Sequence, residues 1–165
     1  MASDVARVSR RLQAAKEDNV LDLKECNLKS IPQAIFLVLR AELDTIKAID
    51  LSNNVLQKVS PKLELFTGVE RLVLSGNPIS NWDFLSLVPT VTELVLDTCQ
   101  LEQLPPQVYG LTKLRRLSLQ GNTITELDVE RTRAWEKLEH LDVTGNPLAP
   151  AVVVELQTRP FSLAL

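Results

Sequence analysis

Several residue types and patterns are scarce in this chain of 165 residues, and each scarcity excludes a class of protein. Two cysteines and no Asn-x-Ser/Thr acceptor argue against a glycosylated, disulfide-stapled extracellular domain. A net charge of −3 is too small to indicate a nucleic-acid or membrane-surface protein. No apolar run has the length of a membrane span or of a secretory signal. We therefore expect an intracellular protein, cytoplasmic with a nuclear location left open, that binds neither nucleic acid nor membrane.

Groups for catalysis and metal binding are equally scarce. His140 is the only histidine, and it has no serine, cysteine or carboxylate placed to form a catalytic triad or a ligand cluster. Asp142 lies two positions further along the same predicted strand, so the two side chains make at most a weak pH-sensitive pair. The chain has no phosphate-binding loop and no G-x-G-x-x-G motif. We expect a protein that is not an enzyme and that carries no cofactor and no metal.

What the sequence does contain is the spacing L-x-x-L-x-L-x-x-[NC]-x-L, repeated six times. The units begin at positions 18, 46, 69, 91, 114 and 138, so the steps between them are 28, 23, 22, 23 and 24 residues. This period and spacing resemble the leucine-rich-repeat superfamily. The resemblance implies an α/β fold: a curved, right-handed solenoid with six parallel strands on its concave face. The low aromatic content suits such a stack of leucine layers.

The ninth position of each unit holds asparagine or cysteine. Cys26 and Cys99 stand where the other units have asparagine. At this position a side chain hydrogen-bonds to neighbouring backbone, and a buried thiol is the familiar substitute. Three strand spacings of about 4.8 Å separate the two cysteines, roughly 14 Å, which is too far for a disulfide. We interpret both as structural residues without a redox or metal-binding role.

Both ends of the repeat array are predicted to be covered by helices in one domain of residues 1–165. Residues 1–17 form the N-terminal cap, 18–149 the six repeats and 150–165 the C-terminal cap. An amphipathic helix is expected over 3–17, with Ser3 as N-cap and Val5, Val8, Leu12 and Ala15 on its apolar face. An exposed solenoid end must be covered, which favours a cap over a basic targeting helix.

Two further segments carry predictions of secondary structure. The long first repeat predicts a helix over 33–44, with Ile35, Leu39 and Leu43 facing inward and Phe36 and Val38 needing other cover. Near the C-terminus we expect a short helix over 151–157 that seals the last leucine layer. The tail 160–165 alternates apolar and small residues, which favours an extended lid over a free docking peptide.

Alternation along a strand places the third, fifth and seventh positions of every unit on the outward face. Two adjacent valines lie at the middle of that face among charged residues. The predicted partner-binding set is Arg71, Val73, Glu93, Val95, Asp97 and Arg116. An apolar centre with a charged rim is typical of protein-binding patches. Alternatively, valine is present because it favours strands and the neighbouring charges pair with one another.

A second candidate surface is acidic and lies in the first two repeats. Asp22, Glu25 and Asp50 are opposed there by Lys24 alone. A basic or amine-bearing partner would be steered to such a surface. The same carboxylates also keep an exposed sheet soluble, which is the more ordinary reason for their presence.

The resemblance to leucine-rich-repeat proteins also bears on function. The segments 5–11, 21–28 and 35–40 resemble a small intracellular member of the superfamily, while 77–82 looks more like the repeats of protein phosphatase regulatory subunits. This implies an intracellular repeat protein without catalytic residues. From the apolar centre on the outward face, we expect a monomeric, non-catalytic module that binds a protein partner on its concave sheet face. One alternative is a regulatory subunit that inhibits or positions an enzyme such as a phosphatase. Another is contact with a partner or an acidic surface through the basic N-terminal helix.

Overall fold

A single parallel sheet runs through the chain and defines its long axis. The computed structural model describes the backbone of residues 4–165 and the side chains from residue 6 onward. Within these residues the sheet has seven strands, paired in the order of the sequence. They are β1 (Val20–Asp22), β2 (Ala48–Asp50), β3 (Arg71–Val73), β4 (Glu93–Val95), β5 (Arg116–Ser118), β6 (His140–Asp142) and β7 (Ser162–Ala164).

The segments between the strands are helical or irregular. Three α-helices occur in the described chain: α1 (Asp4–Asp18), α2 (Ala34–Val38) and α3 (Pro150–Gln157). Later repeats return through 3-10 helices at Pro61–Leu65, Asp83–Leu87, Pro106–Gly110 and Arg131–Ala134. Two of these begin with proline, which fixes φ and lacks the N–H that a helix start leaves unpaired.

Leucine layers inside the sheet hold the stack together. The fourth-position residues Leu72, Leu94 and Leu117 are partners across adjacent strands, and all three are 0% exposed. Burying one such side chain contributes about 1.5–3 kcal/mol, and the layers run without a gap through the described chain. The predicted parallel α/β solenoid and its register are confirmed.

The predicted strand number of six is wrong by one, because the tail supplies β7. Ser162 N–H donates to Glu139 O at 2.9 Å, and Val143 N–H donates to Ala164 O at 2.9 Å. Leu163 packs against the core, and Phe161 is buried beside it. The tail therefore lies extended over the last repeat, as the lid interpretation expects, and it does so as a paired strand rather than as a free docking peptide. It pairs because its alternation suits a strand, although it lacks the leucine spacing that marked the other six.

α1 covers the first strand. Leu12 and Ala15 are buried against the core, and Val8 is partly buried there. Arg7 and Arg11 reach carbonyl oxygens of the first repeat at Glu25 and Lys24. The expected N-cap Ser3 and the Val5 side chain lie outside the described residues. The division into cap, repeats and cap stays a prediction.

The helix of the first repeat is shorter than predicted. It ends at Val38, because Leu39 leaves helical geometry with φ −98° and ψ 22°, and hydrogen-bonded turns follow. The inward stripe holds, since Ile35 and Leu39 are 0% exposed. Phe36 packs against Phe66 with ring centroids 5.8 Å apart. Val38 stays 45% exposed, so neither α1 nor the repeats cover it.

Candidate functional site

Buried asparagines fix the geometry of the outward face by holding the chain where each strand ends. Asn54 Oδ1 accepts from the N–H groups of Cys26 and Leu28, and its Nδ2 donates to Leu23 O and Leu51 O. Nδ2 also donates to Ser52 O at 3.2 Å, so one side chain bonds to five backbone groups of two neighbouring repeats. Because buried backbone groups must be paired, this ladder fixes the spacing of the strands and of their outward side chains.

The two cysteines occupy this ladder as predicted. Both are buried and free of disulfides. Cys99 N–H donates to Asn122 Oδ1 at 2.9 Å, while its Sγ lies 3.5 Å from Leu74 O. Burial raises the pKa of the Cys99 thiol to about 11, outweighing backbone hydrogen bonds that lower it. A thiol of this kind is protonated at neutral pH and is a poor nucleophile.

The third positions of the repeats form a row of charged side chains across β3–β6. Arg71, Glu93, Arg116 and His140 are register partners on successive strands. Arg71 Nε donates to Glu93 Oε1 at 2.9 Å, so these two charges are matched. Arg116 is exposed and has no side-chain hydrogen bond or ion pair among the described residues. The row therefore contains one matched pair and one unmatched cation.

The two valines at the predicted apolar centre differ in exposure. Val73 and Val95 are register partners, so they are adjacent as expected. Val73 is only 8% exposed, because Asp50 and Val95 flank it on both neighbouring strands. Val95 is half-buried. A partner on this face would reach Val95 more readily than Val73, which shifts the accessible apolar surface toward β4 and β5.

Asp97, the remaining acidic residue of the predicted set, holds the strand ends together. Its Oδ1 accepts from Ser118 Oγ at 2.6 Å and from the Gln120 N–H at 2.9 Å. Both donors come from the following repeat. The carboxylate therefore links repeats four and five. Because Oδ1 already accepts two hydrogen bonds, fewer acceptor sites remain for a partner.

The acids of the first two repeats bond to the backbone in the same manner. Asp22 Oδ1 accepts from Lys24 N–H at 3.1 Å, and Asp50 Oδ1 accepts from Ser52 N–H at 2.9 Å. Such bonds to the residue two positions on are the Asx-type turn that ends an extended segment. Arg11 from α1 adds an ion pair to Asp22 at 2.9 Å. The sequence analysis missed the role of these two aspartates in ending the strands. An aspartate two residues before the turn was the signal that could have revealed it.

Glu25, the third member of the acidic surface, lies in the turn after β1. Its backbone has φ 55°, a left-handed conformation, and its carbonyl accepts from Arg7. Within the described chain the acidic surface is thus bordered by two arginines of α1 rather than by Lys24 alone. Positive charge supplied from α1 offsets the local acidity that the sequence suggested.

His140 and Asp142 are held at the last two strands. His140 Nδ1 lies 3.1 Å from Ser162 Oγ of β7. Partial burial would raise the pKa of Asp142, but hydrogen bonds from Thr144 and Gln120, with the nearby His140, bring it below its usual value. His140 therefore lowers the pKa of Asp142 electrostatically, but the two side chains do not bond to each other. Each is hydrogen-bonded to a different residue.

Two concave features are relevant to binding. A depression of about 200 Å³ lies on the outward face over β4–β6, lined by Glu93, Val95, Arg116, Ser118, His140 and Asp142. A larger apolar cavity of about 410 Å³ lies between α1 and the first repeat, away from that face, and Val8, Leu12 and Val38 are among its lining residues. The first depression adjoins the predicted partner-binding set, and the second adjoins the N-terminal helix.

Among the side chains of residues 6–165, no group of three or more His, Cys, Asp or Glu is arranged to hold a metal ion. No helix in that part of the chain is long and apolar enough to cross a membrane.

Comparison with known proteins bears on the repeats directly. Residues 89–148 match the family model described as leucine rich repeat. Leucine-rich repeat-containing protein 20 of mouse is 39% identical over 80 residues, which cover 47% of this chain and 44% of that protein. Plant intracellular Ras-group-related LRR protein 8 of rice is 27% identical over 132 residues, covering 78% of this chain and 33% of that protein.

A third relative is named adenylate cyclase, from Schizosaccharomyces pombe. It is 30% identical over 156 residues, which cover 88% of this chain and 9% of that protein. The chain thus spans less than half the length of each of these three relatives. Activities of the whole relatives are not carried over by a match to so small a part.

Solved structures agree on the fold. An internalin C2 from Listeria monocytogenes superposes with a TM-score of 0.68 at 19% identity, covering 86% of this chain and 65% of that one. Human 5T4 superposes with a TM-score of 0.66 at 22% identity, covering 87% of this chain and 58% of that one. The repeats, the parallel sheet and these matches together show that the chain carries leucine-rich repeats and folds as a leucine-rich-repeat solenoid.

Proposed function

We propose that this chain is a non-catalytic protein-binding module whose partner docks on the outward face of the sheet over β3–β6. Leucine-rich-repeat proteins generally mediate protein–protein interaction, and their extended sheet surface is suited to it. The observation that carries the proposal is the depression over β4–β6, where Val95 is accessible beside the exposed cation Arg116. The other members of the proposed binding set are Arg71, Val73, Glu93 and Asp97.

Catalysis has no part in this proposal. Leucine-rich-repeat folds are typically interaction modules, and the relative named adenylate cyclase shares only 9% of its length with this chain. We further propose that the protein is intracellular and monomeric. We propose a single domain with an N-terminal cap over 1–17, six repeats over 18–149 and a C-terminal cap over 150–165.

The N-terminal helix is a weaker candidate for the contact. Arg7 and Arg11 already donate to the first repeat, which leaves fewer of the basic groups of α1 for a partner. The apolar cavity beneath α1, with Val38 exposed at its edge, is the one observation in its favour. Deleting residues 1–17 separates the two cases. Loss of melting temperature indicates a cap, and loss of one partner at unchanged stability indicates a contact.

In the other alternative, the bound partner is an enzyme, such as a phosphatase, and this chain is the regulatory subunit that inhibits or positions it. It predicts that the purified chain changes the activity of a hydrolase or phosphatase that co-purifies with it. Binding without any such change would leave the module a scaffold.

The experiment for the sheet face uses one substitution on it and one matched substitution away from it. Val73→Glu is unsuitable, because Val73 is 8% exposed and a carboxylate there would be buried. Val95→Glu changes the accessible centre, and Val154→Glu makes the same chemical change on α3, where the side chain is 61% exposed. We expect proteins retained from a native-cell lysate to be lost with Val95→Glu and kept with Val154→Glu. Retention by both variants would place the binding site elsewhere.

A further inference from the structure

Three ion pairs link neighbouring repeats at the second and third positions of the described units, where the strands begin. Lys47 Nζ lies 3.3 Å from Glu70 Oε1, and Arg115 forms an ion pair with Glu139. The Arg71–Glu93 pair completes the series. Arg116 lies beside these residues, yet among the described residues its guanidinium has no acidic partner.

The carboxylates that line the surface depressions with Arg116 are those of Glu93, Glu139 and Asp142, and each is bonded to another group. Glu139 pairs with Arg115. Glu93 accepts from Arg71, and Asp142 accepts from Thr144 N–H and from the Gln120 side chain. On the β6 side, His140 is hydrogen-bonded to Ser162 of β7. An arginine carries five donors in a fixed planar fork, and here that fork has no acceptor in the described chain.

The depression around Arg116 limits what it can hold. Its volume of about 200 Å³ is below the roughly 300–1,000 Å³ of sites for small-molecule ligands. It suits a single side chain of a partner protein. The fork geometry of the guanidinium matches a carboxylate, which accepts two parallel N–H bonds.

Charge selects between the two common anions of proteins. Glu93 and Asp142 both line the depression. A phosphate group, with its charge of about −1.5 to −2, would be repelled by both more strongly than a carboxylate of charge −1. The apolar contact available from Val95 also suits the methylene groups of a glutamate or aspartate.

We propose that the partner inserts an acidic side chain, aspartate or glutamate, into this depression and binds Arg116 through a bidentate salt bridge. The proposal rests on the proposed function, because it assumes that the partner docks on the sheet face. It adds the chemistry that the partner must present.

The experiment selects peptides from a random phage-displayed library on the immobilised full chain. Those whose binding is abolished by Val95→Glu are the ones that bind the face. Their affinities are then measured by fluorescence polarisation for the wild type, Arg116→Gln and Arg115→Gln. The last two variants lose the same charge at neighbouring positions, and only Arg115 is paired within the chain. Circular dichroism checks that both fold.

We expect the face-binding peptides to contain an acidic residue and to bind Arg116→Gln about tenfold more weakly, with Arg115→Gln within about twofold of the wild type. Replacing the acidic residue by its amide should cost the same factor on the wild type and nothing further on Arg116→Gln. A phosphoserine in its place should bind more weakly.

Three results would overturn the proposal while leaving the proposed function intact. They are face-binding peptides without acidic residues, equal affinity for Arg116→Gln and the wild type, and tighter binding of the phosphoserine peptide. If no selected peptide responds to Val95→Glu, the proposed docking face itself is wrong, and this inference is wrong with it.

Discussion

The two ends of the sheet treat charge differently, although the same repeat builds both. At β1 and β2 the outward acids are matched, because Asp22 accepts from Arg11 of α1 and Asp50 accepts from Ser52. At β5 and β6 the acid Asp142 is also matched, but the cation Arg116 is not. The acids of β1 and β2 are bonded within the chain, whereas the guanidinium of Arg116 has no partner among the described residues.

This difference teaches that counting charges along a strand does not locate a binding surface. The first two repeats read as acidic, yet α1 supplies the cations that offset them. The middle repeats have nearly equal numbers of acids and bases, yet Glu93 pairs with Arg71, and Arg116 then has no ion-pair partner among the described side chains. What matters is which groups remain after neighbouring strands and caps have made their own bonds.

The largest expected effect is on the free energy of unfolding. It tests whether the buried asparagines stabilise the two ends of the stack to different extents. Asn54 bonds to five backbone groups and is 5% exposed, whereas Asn146 is half-buried and bonds to three: it accepts from Ile124 N–H and donates to the carbonyls of Leu119 and Val143. We expect Asn54→Ala to lower the free energy of unfolding by about 3 kcal/mol and Asn146→Ala by about 1–2 kcal/mol. Urea unfolding followed by circular dichroism measures both. Equal losses would show that the ladder is uniform from end to end.

The ladder and the leucine layers are the part that the sequence predicts well. The positions of Asn54 and Cys99 follow from the repeat alone, because the ninth residue of a unit lies where the strand ends, next to backbone groups of the neighbouring repeat. The strand β7 does not, since residues 162–164 lack the leucine spacing and pair only because β6 offers them an open edge. For the same reason α2 is overestimated, because a helical pattern over 33–44 does not reveal where the chain must turn back toward β2.

The candidate site is predicted only in part, because exposure and bonding depend on neighbouring strands. Adjacency of Val73 and Val95 follows from the register, whereas the burial of Val73 depends on the side chains on both sides. The role of Asp97 as a link between repeats needs the positions of Ser118 and Gln120 in three dimensions. The reach of Arg11 to Asp22 depends on how α1 packs, which no local pattern specifies.

A second, smaller effect concerns pH and the thiol of repeat four. The pKa of Cys99 is raised by burial from 9.0 to about 11, so the folded chain holds this proton more tightly than the unfolded chain. The corresponding stability is fully present below pH 9 and is lost as the pH rises toward 11. Two pKa units correspond to roughly 2–3 kcal/mol. Urea unfolding of the wild type between pH 8 and 11 should show this decline.

Cys99→Ala provides the control for that titration. The pKa of Tyr109 is also raised by burial, so part of the decline with pH comes from that phenol and persists in the variant. We compare the slope of unfolding free energy against pH, which the lost packing of the thiol does not alter. A slope identical in both chains would show that Cys99 does not titrate in this range.

The smallest effect bears most directly on the difference between the two ends. Arg11→Gln and Arg116→Gln remove the same charge, but Arg11 bonds to Asp22 and to the Lys24 carbonyl, whereas Arg116 has no partner in the described chain. Because the Asp22 side chain is 39% exposed, solvent screens the pair, and we expect Arg11→Gln to cost only about 0.5–1 kcal/mol. Arg116→Gln should leave the unfolding free energy unchanged within error. If Arg116→Gln destabilises the chain as much as Arg11→Gln does, Arg116 has an intramolecular role. The proposed difference between bonded charges at β1 and β2 and an unpaired arginine at β5 is then wrong.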